Sequence, residues 1–182
     1  VVLDTDIGTD VDDALALLLA LGSPEIDLIG ITIVDGDVDT RARIAARLLG
    51  MAGRPDIPVF KGASKPIGPG RGPTWFGHEG EGILDIAYDG KEARIYETPA
   101  HEWLVSRTES YHLVAVGPFT NVALAFQQDP SLAERLLHLT VMGGMVHGET
   151  YTPKWQQFFK DTGIVPAHMD HNTASDVNAA LM

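Results

Sequence analysis

Short, wholly apolar runs alternate along the chain with longer stretches in which apolar residues recur at helical spacing. Val1 to Asp4 reads as a brief buried strand that ends in acid. Asp12 to Leu21 is rich in Ala and Leu, with Asp at its start and Gly22 after its end, which predicts a helix. Ile26 to Val34 is apolar and β-branched and predicts a second buried strand. Thr40 to Ala52 predicts another helix, with Thr40 as its cap and Gly53 as its stop. Pro58 to Phe60 reads as a short third strand. Gly62 to Gly82 is crowded with Gly and Pro and reads as a long loop, a feature that in compact domains often carries function. Beyond it, Pro99 to Arg107 is helical, Tyr111 to Val116 strand-like, Thr120 to Gln128 helical and Leu139 to Met142 a buried strand. Ser175 to Met182 opens a last helix. The alternation predicts one α/β domain over residues 1–182, an open, mostly parallel sheet flanked by helices. Ligands of such sheets sit outside the carboxyl ends of the strands.

Composition narrows the possibilities. The chain has 182 residues, 45% of them hydrophobic and 21% charged, enough for a core that needs no covalent staples. It has no cysteine, which excludes disulfides, thiolate zinc sites and a cysteine nucleophile. That suits a reducing compartment, and the cytoplasm is the expected location. The formal net charge of -12 disfavours nucleic acid as a partner but leaves a neutral nucleoside or a cation open. No apolar run is long enough to cross a membrane, and no signal peptide is visible, although the chain opens on Val1 rather than Met.

The chemistry concentrates after the first strand. Asp4, Asp6, Asp10, Asp12 and Asp13 place five carboxylates within ten positions, around Gly8. Unpaired, they would repel one another; calcium prefers hard oxygen ligands and holds several carboxylates together. Asp4 and Asp6 share a face of an extended strand. Asp12 and Asp13 diverge at a helix start, so one can reach a metal and the other a substrate hydroxyl. Helix capping and the helix dipole account for one or two of the five, not for all. The spacing is not that of an EF-hand.

The string from Asp4 to Ala14 resembles the D-x-D-x-G-x-D-D-A signature of the nucleoside hydrolase family, with two extra residues between Gly8 and the Asp12-Asp13 pair. Further segments resemble the family in order. Gly36-Asp37 stands where the family has Gly-Asn near sugar and base. Gly77-His78-Glu79-Gly80-Glu81-Gly82 resembles its His-containing glycine loop. Val116-Gly117-Pro118-Phe119-Thr120-Asn121 resembles its G-P-L-T-N turn, where Thr120 or Asn121 is also able to cap the next helix. Met142-Gly143-Gly144 follows a strand as in the family. Asp170-His171-Asn172, with Asp176 and Ala179-Ala180 after it, resembles E-F-N-x-x-x-D-P-x-A-A.

The resemblance implies a Rossmann-like nucleoside hydrolase core and calcium-dependent hydrolysis of a ribonucleoside's N-glycosidic bond. Asp6 would be both calcium ligand and the base that activates water. Asp13 would be a second calcium carboxylate and the Val116 carbonyl a further ligand. Asp12 would bind a ribose hydroxyl, with Asp37, His78, Asp170 and Asn172 also touching substrate. Asp10 falls in the inserted turn and has no matched role. Ile164 stands where the family has Asn, and Trp155, Phe158 and Phe159 would pack a lid or stack on a base. The resemblance covers the front part of a family member, as if truncated at its C-terminal end; a late His-Asp pair, supplying leaving-group chemistry and another calcium carboxylate, would lie past Met182, so weak calcium binding and poor or absent turnover are expected of this chain alone. A homo-oligomer is expected.

Two other readings stay open. One is a remnant that binds nucleoside, ribose or calcium without turnover. The other is a phosphohydrolase of the haloacid dehalogenase type, suggested by Asp4-Thr5-Asp6 after a strand; that type has Thr or Val where this chain has Gly8, so it ranks low.

Overall fold

The computed structural model describes residues 1–68, 76–144, 157, 160, 161 and 170–182. Trp155, Phe158, Phe159 and Ile164, and part of the Gly62 to Gly82 loop, lie outside the described residues. Six strands, β1 (Val2–Thr5), β2 (Gly30–Ile33), β3 (Val59–Lys61), β4 (Ile95–Tyr96), β5 (Tyr111–Ala115) and β6 (Leu136–Val141), form one sheet in the order β4-β3-β2-β1-β5-β6. Every pairing is parallel. This is the predicted open α/β sheet.

Helices cover both faces, as parallel strands require. On one side α1 (Asp12–Gly22) and α2 (Val38–Met51) bury Leu17, Ala42, Ile44, Ala45 and Leu49 against Leu3, Ile31, Ile33 and Val59. On the other, α3 (Ala100–Ser106) and α4 (Thr120–Gln128) bury Leu104, Val122 and Ala125 against Val2, Leu113 and Ala115. Neighbouring residues of β1, Val2 and Leu3, serve opposite cores because side chains alternate along a strand. Three short helices, α5 (Leu132–Arg135), α6 (His171–Ser175) and α7 (Val177–Ala180), complete the described elements.

Several expectations are corrected. The second strand is shorter than Ile26 to Val34: the N–H of Ile26 bonds the Ser23 carbonyl in a turn, while Leu28 is buried by packing alone. Asp37, not Thr40, caps α2; its carboxylate accepts the N–H groups of Asp39 and Thr40, both at 3.1 Å, and the Thr40 hydroxyl at 2.7 Å. An acid one turn earlier thus takes the donors that a cap must satisfy. Neither Thr120 nor Asn121 caps α4, which has no side-chain cap; both side chains turn inward instead. β6 starts at Leu136, three residues before the predicted Leu139, and its side chains are mostly exposed rather than buried. The last helix runs from Val177 to Ala180 inside the expected Ser175 to Met182, with the Asp176 carboxylate accepting the Ala179 N–H, and a further short helix precedes it, where the Asp170 carboxylate accepts the Thr173 N–H.

The strand order fixes where a ligand can sit. From β1 the chain steps outward through β2 and β3 to β4, then returns to place β5 on the other side of β1. The reversal opens a crevice beyond the carboxyl ends of β1 and β5, the usual binding place in open α/β sheets. Asp6 and Val116 follow those two strands directly.

Candidate active site

A cavity of about 440 Å³ occupies that crevice, within the range of small-molecule sites. Asp6, Asp10, Asp12 and Asp13 line it from the loop after β1 and the start of α1. Val116 lines it from the end of β5, and Met142, Gly143 and Gly144 from the end of β6. Asp170, His171 and Asn172 close it from the start of α6, and Phe76 stands at its edge.

The acidic wall is buried unevenly. Asp6 and Asp13 are buried, whereas Asp10 and Asp12 are exposed. Val11, not an aspartate, is the cap residue of α1, and no side chain there makes a capping bond. Capping therefore does not use up the acids. The Thr5 hydroxyl donates to Asp13 Oδ1 and also accepts the N–H of Ile7 at 3.1 Å, tying the loop to the helix start. Burial, and then the Asp13 charge, push the Asp6 carboxyl up to about 7, with the Arg41 guanidinium pulling the other way. Asp13 is raised as well, by burial first.

Glycine makes the close approach at Asp6 possible. A Cβ on Gly117 would stand 2.9 Å from both the N and Oδ1 of Asp6 and 2.8 Å from Val34 Cγ1. Any larger residue would push the strand ends apart.

Beneath Asp6 lies a polar network built from residues far apart in the chain. Asp4 is wholly buried; its Oδ1 accepts the Asn121 amide at 2.8 Å and the Thr32 hydroxyl at 2.5 Å, while its Oδ2 has no partner among the described residues. Burial pushes this carboxyl up to about 7 as well. Arg41, fully buried on the first turn of α2, donates through Nε to the Asp35 carbonyl at 2.8 Å and through Nη1 to the carbonyls of Asp6 and Ile7. A signal for it existed: Arg41, Ala45 and Leu49 recur at helical spacing, so Arg41 falls on the core-facing side.

The other expected site residues divide. Asn172 and Asp170 line the cavity. The Asn172 amide donates to the carbonyls of Val116 at 2.6 Å and Met142 at 2.8 Å, joining the ends of β5 and β6. Asp170 Oδ2 accepts the Gly144 N–H at 2.6 Å. Burial opposes ionisation of Asp170, but its hydrogen bonds from Thr173 and Gly144 outweigh this and hold the carboxyl below its ordinary value. Asp37 and His78 stand off the described lining. Asp37 is spent on capping α2, and its carboxyl is lowered, first by the Thr40 N–H. His78 is exposed, and its Nε2 donates to the Thr9 carbonyl at 2.9 Å. With Glu79, whose Oε1 accepts the Thr9 hydroxyl at 3.4 Å, it clamps the acidic loop from outside.

The donors fit a hard cation in kind, since all are oxygens. Two neighbouring buried carboxylates with raised pKa values are what such a cation would relieve. In number the shell is partial: among the described residues, no three acidic or histidine side chains stand close enough to hold one ion.

The raised carboxyls carry a stability consequence. Asp4 and Asp6 are raised from 3.8 to about 7 and Asp13 is raised too, so each favours its protonated form in the fold. Their contribution is complete below the unfolded value and is lost as pH rises through the folded one. The urea midpoint in the presence of a chelator should therefore fall between pH 5 and pH 8. A midpoint that stays level or rises over that window contradicts this electrostatic picture.

An acid-lined crevice at the switch point of a parallel sheet defines a small-molecule site of the α/β class. The family model for inosine-uridine preferring nucleoside hydrolases matches residues 1–182, and the chain belongs to that family. Uridine nucleosidase 1 of Arabidopsis thaliana is 35% identical over 150 residues, covering 79% of this chain and 44% of the relative. Among solved structures, the plant nucleoside hydrolase PpNRh1 superposes with a TM-score of 0.73 at 30% identity, over 98% of this chain and 54% of its own. A purine-preferring ribonucleoside hydrolase from Gardnerella vaginalis gives 0.74 at 29% identity, over 98% and 55%. The chain thus spans about half the length of the relatives it matches. Among the described residues, no helix is long and apolar enough to cross a membrane.

Proposed function

We propose that the protein hydrolyses the N-glycosidic bond of ribonucleosides, giving ribose and free base, with calcium at the acidic end of the crevice. The observation that carries this reading is the pair of buried carboxylates, Asp6 and Asp13, at the floor of a nucleoside-sized cavity in a chain of this family. Asp6, Asp13 and the Val116 carbonyl would hold the ion, and water or substrate hydroxyls would complete the shell. When bound, calcium supplies positive charge that grips ribose hydroxyls and lowers the pKa of an adjacent water.

The chain's own residues supply the water-activating and sugar-binding side of the mechanism, while the departing base would take up a proton from solvent or from an acid outside the described residues. Asp6, buried and kept near neutrality in its affinity for protons, accepts the proton of the attacking water. Asp12, exposed on the cavity wall, binds a ribose hydroxyl. Asp170, held ionised by Gly144 and Thr173, accepts a hydrogen bond from the sugar's 5' end. Charge develops on the sugar in an oxocarbenium-like transition state, which these carboxylates stabilise.

The test incubates the protein with uridine or inosine, with calcium or with a chelator, and measures free ribose. Ribose released with calcium and lost with chelator is the expected result. Binding of nucleoside without any ribose release would instead support a non-catalytic binding protein.

A further inference from the structure

The two-residue insertion after Gly8 lengthens the acidic loop, yet the loop is fixed on both sides. On the outer side His78 and Glu79 hold Thr9. On the inner side everything converges on one residue of α2. Arg41 has no exposed surface, a costly place for a cation unless its donors are used. Its Nη1 donates to the carbonyls of two successive residues, Asp6 and Ile7. Its Nε donates to the Asp35 carbonyl, and Nη2 lies 3.8 Å from Asp35 Oδ2. Asp35 has a left-handed backbone, with φ of 70°, which aims this carbonyl at the guanidinium. Gly8, with φ of 122°, leaves the turn no room for a side chain: a Cβ there would stand 2.7 Å from Ile44 Cδ1 and 4.0 Å from Arg41 Nη1.

We propose that Arg41 is a positioning residue: by holding the Asp6 and Ile7 carbonyls against α2 it presets the acidic loop, so that Asp6 and Asp13 face the cavity ready to receive a divalent cation. The inference rests on the cation reading of the site given above. It makes a prediction whose sign separates it from a plain counter-charge. Removing a positive charge beside two carboxylates strengthens their hold on a cation. Removing the groups that fix their geometry weakens it. The planar fork reaches several carbonyls at once, which an ammonium cannot copy.

The experiment compares wild type with Arg41→Met and Arg41→Lys. Calcium affinity is measured by titration calorimetry, and backbone amide exchange is followed without metal. The expected result is calcium binding weaker by about tenfold in Arg41→Met, with Arg41→Lys in between. Amides of residues 7–10 should exchange at least about tenfold faster in Arg41→Met, with those of β5 little changed. Unchanged or tighter calcium binding in Arg41→Met would overturn the proposal. If Arg41→Met does not fold, Arg41→Lys decides by the same two readouts. If wild type itself binds no calcium, the cation reading fails, and loop exchange alone decides: faster exchange upholds the positioning role and unchanged exchange sinks it.

Discussion

Asp6→Asn is expected to slow ribose release by about 10²- to 10⁴-fold, the usual contribution of a positioned base. The substitution keeps the shape of the side chain, so it fits beside Gly117 as Asp6 does. It removes the proton acceptor and the buried negative charge that the Asp13 carboxylate repels. Because Asp6 is raised by burial and by Asp13, the neutral amide relieves repulsion, and the metal-free fold should be at least as stable as wild type. That combination is the informative one: lost turnover with an undiminished urea midpoint assigns the loss to chemistry. Activity within about tenfold of wild type would remove Asp6 as the base. Calcium titration of the same variant separates its two proposed duties, since a weakened ion should raise the calcium requirement while a lost base lowers turnover even at saturating calcium.

Asn121→Leu is expected to cost about 3–5 kcal/mol of stability, as breaking a buried, charge-linked hydrogen-bond network does. Asn121 has no exposed surface, and its amide donates to Asp4 Oδ1 at 2.8 Å and to the Ile33 carbonyl at 2.9 Å. Its Oδ1 accepts the Ala63 N–H at 2.9 Å. One side chain thus joins the ends of β1 and β2 to the segment following β3. Leucine matches the volume but satisfies none of these groups, each of which costs roughly 1–3 kcal/mol when buried without a partner. For a chain of this size the loss corresponds to a melting temperature lower by about 10 °C. Gly62 shows how tight the joint is, since a Cβ there would come within 2.2 Å of Asn121 Oδ1. Chemical denaturation checks the prediction, and a loss below about 1 kcal/mol would show that the network is replaceable.

Both residues lie in motifs visible in the sequence, but only one of their roles was. The acidic stretch announced itself through charge: five aspartates in ten positions exceed what capping explains. Asn121 offered only its place at a helix start, where capping is the ordinary expectation. Its real partners are 58, 88 and 117 residues away in sequence. Arg41 is a similar case. Its helical spacing marks it as core-facing, but which carbonyls it meets depends on how α2 lies under the loop.

The short elements divide along the same line. β4 has two residues and α5 has four, too few to show any period. Ile26 to Ile29 read as strand because periodicity reports burial and not ladder pairing. At the first residue of β2 the sheet also meets a ring: Trp103 lies so close that a Cβ on Gly30 would stand 2.4 Å away.

By itself the sequence determined the alternation of buried strands with amphipathic helices, and so the parallel α/β class, because those patterns depend on local spacing. It determined the acidic loop and its likeness to nucleoside hydrolases, because charge density and motif order survive without coordinates. Only the tertiary structure decided which acids are buried, that Asp37 and His78 spend their side chains on the scaffold, and that Asp4, Asn121 and Arg41 form the underside of the site. Burial and hydrogen bonding are relations between segments far apart in the chain. The strand order β4-β3-β2-β1-β5-β6, which brings Asp6 beside Val116 and Gly117, fixes them, and no local pattern encodes that order.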